Sequence, residues 1–275
     1  MQRVIILFIA ISFLFSTGCS HSKQERDKSN NAKNVVKSVI KKDTLAYTLL
    51  MEGGESEDCK KCDYVGVNYL VFKGDTALNN AIKEQIISYI APYADGVIEL
   101  KNFEKDLKKV TTPSKQEVDS SLSEEISLTT FDLYVRLIKQ DSILIVLDFA
   151  IETSGGVHGN YGDYYMNWDT KAHKEISLDD LLIANYEHRL TNIAESIFRK
   201  NEGLAKHESL KYTYHFQDDV FSLNDNFYLT PEGLMFYYNI YEIKPYMQGT
   251  TDLLIPYAQI KSLLKPNTVI TQYIK

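Results

Sequence analysis

The sequence predicts an α+β fold with a largely antiparallel sheet and interspersed helices, arranged as two closely associated α+β units. Short runs rich in Tyr, Val, Ile and Leu are separated by turn residues, which is typical of strands. Two longer stretches repeat apolar residues at helical spacing. Because helices interrupt the clusters of strands irregularly, the pattern favours this class over a regular strand–helix alternation with a parallel sheet.

The first unit is predicted to begin with strands at 44–51 and 65–72. A helix follows, with Asp75 or Thr76 as its N-cap and Pro92 as its end. The apolar face of this helix consists of Leu78, Ile82, Ile86 and Ile90. The chain from 95 to about 128 is charged and helical in pattern, with a break at Pro113. Strands at 131–137 and 143–151 complete the unit, and the second is apolar almost throughout, as a central strand is.

The second unit is predicted to contain a strand at 164–168 and a helix between 185 and 201. The apolar face of that helix consists of Leu190, Ile193, Ala194, Ile197 and Phe198. Short aromatic strands at 227–229, 234–241 and 253–255 and a short helix at 257–264 follow. The acidic pairs Asp179-Asp180 and Asp218-Asp219 fit a helix start or a solvated loop better than a catalytic pair, since negative charge is favoured at helix N-termini.

Residues 1–18 have the pattern of a secretory signal peptide. Arg3 precedes an apolar run at 4–15 that is too short to span a bilayer. The run ends at Ser16-Thr17-Gly18-Cys19, which resembles a lipoprotein box, so Cys19 is expected to carry the lipid. Plain cleavage and an uncleaved anchor are the alternatives. Residues 19–43 are predicted to be the lipidated cysteine and a flexible tether, which places the protein in the cell envelope, outside the cytoplasm, periplasmic or surface-exposed.

The chain is acidic, with 30 Lys and Arg residues against 37 Asp and Glu residues. Loss of Arg3 with the signal peptide would make it more acidic by one charge. This balance disfavours nucleic acid and anionic lipid headgroups as partners. We therefore expect a basic partner, and contact with the membrane through the lipid anchor only.

Cys59 and Cys62 are predicted to form a small local disulfide, which is the default in an oxidising compartment. A zinc ribbon would need a second cysteine pair. A thioredoxin-like dithiol normally opens a helix after a strand, whereas this pair precedes a predicted strand. The sequence therefore indicates neither a metal nor another cofactor.

His158, in the segment Ser154-Gly155-Gly156-Val157-His158-Gly159, is the strongest catalytic candidate. No nucleophile or metal partner lies at a recognisable spacing from it. The glycines fit a turn at the end of a strand, in which the histidine is hydrogen-bonded. We therefore expect no catalytic residue and no enzymatic activity, with an unrecognised catalytic site as the remaining alternative.

Several segments carry a family resemblance. They are the glycine turn at 154–159, Asn226-Phe227, the segment 229–236, and the segment 241–246. Their order resembles the RsiV-like C-terminal extracytoplasmic domain, and Tyr69–Phe72 running into Ala77–Ile82 resembles the non-catalytic domain of PdaC-type deacetylases. The resemblance covers about 60–265 and implies a PdaC-type unit at 44–152 and an RsiV-like unit at 153–275. Since no cytoplasmic anti-sigma segment and no deacetylase motif is recognisable, it implies a stand-alone binding domain.

The resemblance implies a cationic protein such as lysozyme as the partner, and peptidoglycan or another glycan as the alternative. The 19 tyrosines either fill half-buried strands or form a recognition surface. Glu242 lies in an apolar and aromatic run, where a buried carboxylate would need partners, so we expect it close to the turn at 155–159. The candidate binding residues are Gly155, Gly156, His158, Gly159, Tyr241, Glu242 and Tyr246.

Overall fold

The computed structural model describes residues 41–50, 64–93, 97–108, 130–154 and 159–274. The predicted signal peptide, Cys19, Cys59, Cys62, Gly155, Gly156 and His158 lie outside these residues. The described part of the chain confirms the predicted α+β class, with four α-helices and two sheets. In that part, no helix is both long enough and apolar enough to cross a membrane.

Six strands form the main sheet in chain order. They are β1 (Lys42–Leu50), β2 (Tyr64–Phe72), β3 (Thr130–Gln140), β4 (Leu144–Ser154), β5 (Asn160–Asp169) and β6 (Lys174–Glu175). Neighbouring strands are antiparallel, except that β2 and β3 are parallel. The connection between β2 and β3 contains helix α1 (Thr76–Ile90), as expected because parallel strands need a long crossover.

Helix α1 begins as predicted, because the Asp75 side chain accepts a hydrogen bond from the Leu78 amide at 3.0 Å. The other carboxylate oxygen of Asp75 accepts a hydrogen bond from Nε1 of Trp168 on β5 at 3.2 Å. This buried N-cap therefore joins the start of α1 to the main sheet. The four predicted core positions of α1 are all buried. Helix α2 (Phe103–Leu107) follows, within the stretch predicted to be helical.

A smaller antiparallel sheet consists of β7 (Phe227–Leu229), β8 (Gly233–Tyr238) and β9 (Thr251–Pro256). Helices α3 (Leu178–Leu181) and α4 (Glu187–Asn201) precede it. Each face of the main sheet carries a core. Ile145, Leu147 and Phe149 of β4 pack in the core with α1, whereas Leu144 and Val146 pack with α4 and the smaller sheet. Burial on both faces explains the almost continuous apolar run of β4.

Two details differ from the prediction. Strand β8 ends at Tyr238 rather than at 241, and Tyr241 has a φ of 63°, outside the range of strand backbone. The predicted helix at 257–264 is reduced to a 3₁₀ turn at Lys261–Leu263. The main sheet extends across residue 152, the predicted boundary between the two units, because β5 pairs with β4 and β6 pairs with β5.

Candidate functional site

A groove follows strand β5, between helix α1 and two loops, one before β7 and one after β8. It consists of three adjoining depressions with volumes of about 520, 280 and 530 Å³. The first and second depressions share Tyr89, Tyr164, Asn239 and Ile240, and the second and third share Thr153, Asn160 and Tyr161. We call this continuous surface the β5 groove.

Tyrosines line the β5 groove along its length. Tyr89, Tyr164 and Tyr165 line the first depression, Tyr161 lines the second and third, and Tyr246 lines the third. The rings of Tyr89 and Tyr164 lie 5.1 Å apart, centroid to centroid. Tyr161 and Tyr164 are 43% and 37% exposed. These side chains therefore combine packing with accessible aromatic surface, as interface tyrosines do.

The charged side chains that line the β5 groove are carboxylates. They are Glu175, Asp225 and Glu242 in the first depression and Asp132 and Glu152 in the third. Among the described residues that line the three depressions, none is lysine, arginine or histidine. The groove therefore has the charge to attract a cationic ligand and to repel an anionic one.

Two asparagine side chains hold the open edge of β5 beside the groove. Asn239 Oδ1 accepts a hydrogen bond from the Asp163 amide at 2.7 Å, and Asn226 Oδ1 accepts one from the Tyr165 amide at 3.0 Å. The Nδ2 groups of both asparagines donate to the Asp163 carbonyl, at 3.1 and 2.8 Å. This asparagine clasp satisfies backbone groups that a neighbouring strand would otherwise satisfy, and it fixes the wall of the groove.

Beside the groove, one arginine bridges two carboxylates. Arg136 and Asp148 are paired positions on β3 and β4. Arg136 Nε donates to Asp148 Oδ2, and Arg136 Nη2 donates to Asp163 Oδ1, both at 2.6 Å. The hydroxyl of Tyr237 donates to Asp163 Oδ2 at 3.0 Å. This Arg136 cluster ties β3, β4 and β5 to the smaller sheet.

The Arg136 cluster is electrostatically unbalanced. The side chain of Asp148 is 1% exposed, and its Oδ1 accepts no hydrogen bond from any described residue. Burial and the charge of Asp163 raise the pKa of Asp148 to about 6, although Arg136 opposes the shift. Burial, followed by the charges of Asp148 and Asp163, also raises the pKa of Tyr165. Hence Tyr165 stays neutral at physiological pH, whereas Asp148 loses its proton around pH 6.

Four of the predicted binding residues lie in the described part of the chain, and each lies in or beside the β5 groove. Gly159 and Tyr246 line the third depression together. Tyr241 packs on Tyr246, with ring centroids 5.3 Å apart. Glu242 lines the first depression. The residues between Ser154 and Gly159 are not described, so a contact between Glu242 and the turn at 155–159 stays a prediction.

The reason given for the position of Glu242 was wrong, because Glu242 is exposed rather than buried. Its carboxylate accepts hydrogen bonds from Asn224 Nδ2 at 2.6 Å and from the Asn239 amide at 2.7 Å. Glu242 thus joins the segment before β7 to the loop after β8, and it supports Asn239 of the asparagine clasp.

Sequence reasoning missed the Arg136 cluster, Tyr89, Glu175 and the asparagine clasp. One signal was available for Asp148, the charged residue inside the apolar run of β4. The residues of the first depression come from α1, β4, β5, β6, the segment before β7 and the loop after β8, so no local pattern connects them. In the described ranges, no group of three or more His, Cys, Asp and Glu side chains is arranged to hold a metal ion.

Comparison with known proteins gives a family match over part of the chain. Residues 179–258 match a family described as a protein of unknown function, DUF3298. The fold is similar to the crystal structure of a DUF3298 family member from Bacteroides fragilis, with a TM-score of 0.65 and 20% identity over 86% of this chain and 98% of that one. The crystal structure of a DUF3298 family protein from Pseudomonas aeruginosa PAO1 is also similar, with a TM-score of 0.62 and 22% identity over 83% of this chain and 95% of that one.

No curated protein matches the sequence. The two structural likenesses establish the fold, and both are to proteins of the DUF3298 family. These similarities support the coarser part of the predicted resemblance. The finer assignment to RsiV-like and PdaC-type domains stays a prediction.

Proposed function

We propose that this protein is a non-catalytic binding module that captures a cationic protein in the β5 groove. The observation that carries the proposal is the lining of the groove, which combines five tyrosines and five carboxylates with no described cationic side chain. Tyrosine is enriched at binding hot spots, and complementary charge selects partners and speeds their association. A basic protein surface provides the matching chemistry.

The RsiV-like pattern of the sequence suggests a lysozyme-like muramidase as the ligand. The motif residues Gly159, Tyr241, Glu242 and Tyr246 lie in or beside the groove, which supports assigning the resemblance and the groove to one function. The expected lipid on Cys19 and the tether at 19–43 would hold the domain outside the cytoplasm, where a secreted enzyme could reach it.

The second candidate function is binding of peptidoglycan or another glycan. The amide side chains that line the groove, such as Gln85 and Asn160, favour it, because amides and tyrosines can hydrogen-bond and stack against neutral sugars. The predicted PdaC-type unit points to the same class of ligand. A neutral glycan would leave the carboxylates of the groove without a countercharge, so we rank it second.

Titration of the purified full-length protein with lysozyme tests the proposal. We expect saturable binding that persists at about 0.15 M ionic strength, where the screening length is about 8 Å. We also expect the bound lysozyme to lose activity on cell walls. Binding that disappears at this ionic strength would indicate a merely electrostatic encounter. No saturable binding at low or physiological salt would contradict the lysozyme assignment, and purified peptidoglycan would be titrated next.

The anchoring hypothesis has its own test. We expect Cys19→Ala to move the protein from the membrane fraction to the soluble fraction, because the thioether that carries the lipid can no longer form. The measurement is fractionation of cells followed by immunoblotting, with unaltered protein as the control. A variant that stays in the membrane fraction as fully as the unaltered protein would contradict lipidation at Cys19.

A further inference from the structure

The first depression of the β5 groove has features that suit a single long side chain. Its volume of about 520 Å³ lies in the range of small-ligand pockets, about 300–1,000 Å³. The buried side chains of Phe149 and Met166 line its floor, and the neighbouring rings of Tyr89 and Tyr164, inclined at 34° to each other, form one wall. An aliphatic stem can be buried against such surface while a charged group at its end remains near polar groups.

The charges around the first depression select a cation. No described residue forms an ion pair with Glu175, Asp225 or Glu242. Although much of Glu175 is exposed, desolvation raises the pKa of its carboxyl group. A bound cation would stabilise the ionised form of Glu175, and the tyrosine faces would add cation–π attraction.

We propose that the first depression is a socket for one arginine side chain of the cationic ligand, an inference that rests on the proposed function. A guanidinium is planar, stacks on aromatic rings, and donates to carboxylates in a fixed fork. An ammonium is more strongly hydrated and cannot stack. The combination of a tyrosine wall with Glu175 therefore favours arginine over lysine.

The socket is tested with small probes and full-length protein. Nα-acetyl-arginine amide is titrated by calorimetry, with Nα-acetyl-citrulline amide as its neutral isostere and Nα-acetyl-lysine amide as the second cation. We expect saturable binding of the arginine probe at about millimolar concentration, because one side chain provides few contacts. The lysine probe should bind more weakly, and the citrulline probe should not bind measurably.

Two variants locate the site. Glu175→Gln removes one carboxylate charge from the first depression, and Tyr89→Leu removes an aromatic face. Each variant should lower the affinity for the arginine probe about fivefold, and each should also lower the affinity for lysozyme. Glu84→Gln is the matched control, since Glu84 is exposed on the same helix as Tyr89 but does not line the groove. A thermal melt checks that Tyr89→Leu is folded. Because Glu175 is exposed, Glu175→Gln tests the same site with a substitution that does not disturb the core.

The outcomes separate the socket from the proposed function. If lysozyme binds but the arginine probe does not, or if both variants bind lysozyme like unaltered protein, the socket is wrong and protein capture stands. If the arginine probe binds as expected and lysozyme does not, the socket is supported and the lysozyme assignment fails. If a chitin trisaccharide saturates the protein, loses affinity in Tyr89→Leu, and the arginine probe does not bind, the depression is a sugar site and the socket is wrong.

Discussion

Replacing Arg136 by leucine is expected to lower the free energy of unfolding by about 3 kcal/mol at pH 8, because removal of one member of a buried ion pair leaves an uncompensated charge. The guanidinium bridges Asp148 and Asp163, and it is the only described cation that hydrogen-bonds to either carboxylate. The side chain of Arg136 is 55% exposed, which places the expected loss at the lower end of the range for buried pairs. Denaturant unfolding followed by circular dichroism measures it.

The loss caused by Arg136→Leu should depend on pH. In the folded protein the pKa of Asp148 is raised to about 6, above the ordinary aspartate value of about 3.9. The folded protein therefore keeps this proton up to a higher pH than the unfolded protein does. As a result, the contribution of Asp148 to stability falls as pH rises from about 4 to about 6. Without the guanidinium, the pKa rises further and the fall extends to higher pH. The difference in the free energy of unfolding between the unaltered protein and Arg136→Leu should be small at pH 4 and largest at pH 8.

Two controls isolate this mechanism. Asp148→Asn combined with Arg136→Leu should recover most of the lost stability, since the buried charge is then absent. Arg136→Lys should fall between the unaltered protein and Arg136→Leu, because an ammonium cannot match the two-sided fork of the guanidinium. A loss in Arg136→Leu that is equal at pH 4 and pH 8 would show that packing, rather than the buried carboxylate, explains the effect.

Gly233→Ala is expected to destabilise the protein by at least about 3 kcal/mol, because backbone would have to move to admit the new methyl group. A Cβ atom at this position would lie 2.2 Å from the carbonyl oxygen of Ile255 and 2.8 Å from Cα of Pro256, both on the paired strand β9. Gly233 is part of the motif segment 229–236. The close approach of β8 and β9 explains why this position of the motif is a glycine, since it leaves no room for a Cβ atom.

Gly162→Ala is the comparison variant for Gly233→Ala. The atoms nearest to its added Cβ belong to the side chains of Tyr164 and Asn239, at 3.1 and 3.3 Å, and side chains can shift more easily than backbone. We expect a loss of about 1 kcal/mol or less. Thermal unfolding of both variants provides the measurement. Equal losses would mean that strand approach at Gly233 is not the cause.

Local patterns in the sequence predicted most of the fold. The apolar faces of α1 and α4, the N-cap at Asp75 and strand β7 all follow from short-range periodicity and capping chemistry. The predictions that were wrong depended on backbone geometry that composition does not encode. The left-handed conformation of Tyr241 lies beyond the end of β8, although the residue types of the run 234–241 are those of a strand.

The candidate site was predicted only where it is contained in a continuous motif. Gly159, Glu242 and Tyr246 were identified by their segments, but Glu175 and Tyr89 are 86 residues apart in the numbering and meet only because α1 packs across the main sheet. Likewise, Asp148 becomes a buried carboxylate with a raised pKa only through the pairing of β4 with β3 and β5. Such sites depend on tertiary contacts, which a single sequence does not reveal.

The asparagine clasp determines how a ligand can be recognised. Exposed strand edges commonly recruit an extended peptide as an additional strand, and such recruitment depends mainly on the main chain of the guest. Here the amides of Asp163 and Tyr165 and the carbonyl of Asp163 are already occupied by the protein's own asparagines. Around these residues a visiting polypeptide cannot extend the sheet, and neither can a second copy tethered nearby. The choice between ligands must then depend on the side chains of the ligand. Neighbouring copies of the protein on a surface are also prevented from polymerising edge to edge through this part of β5.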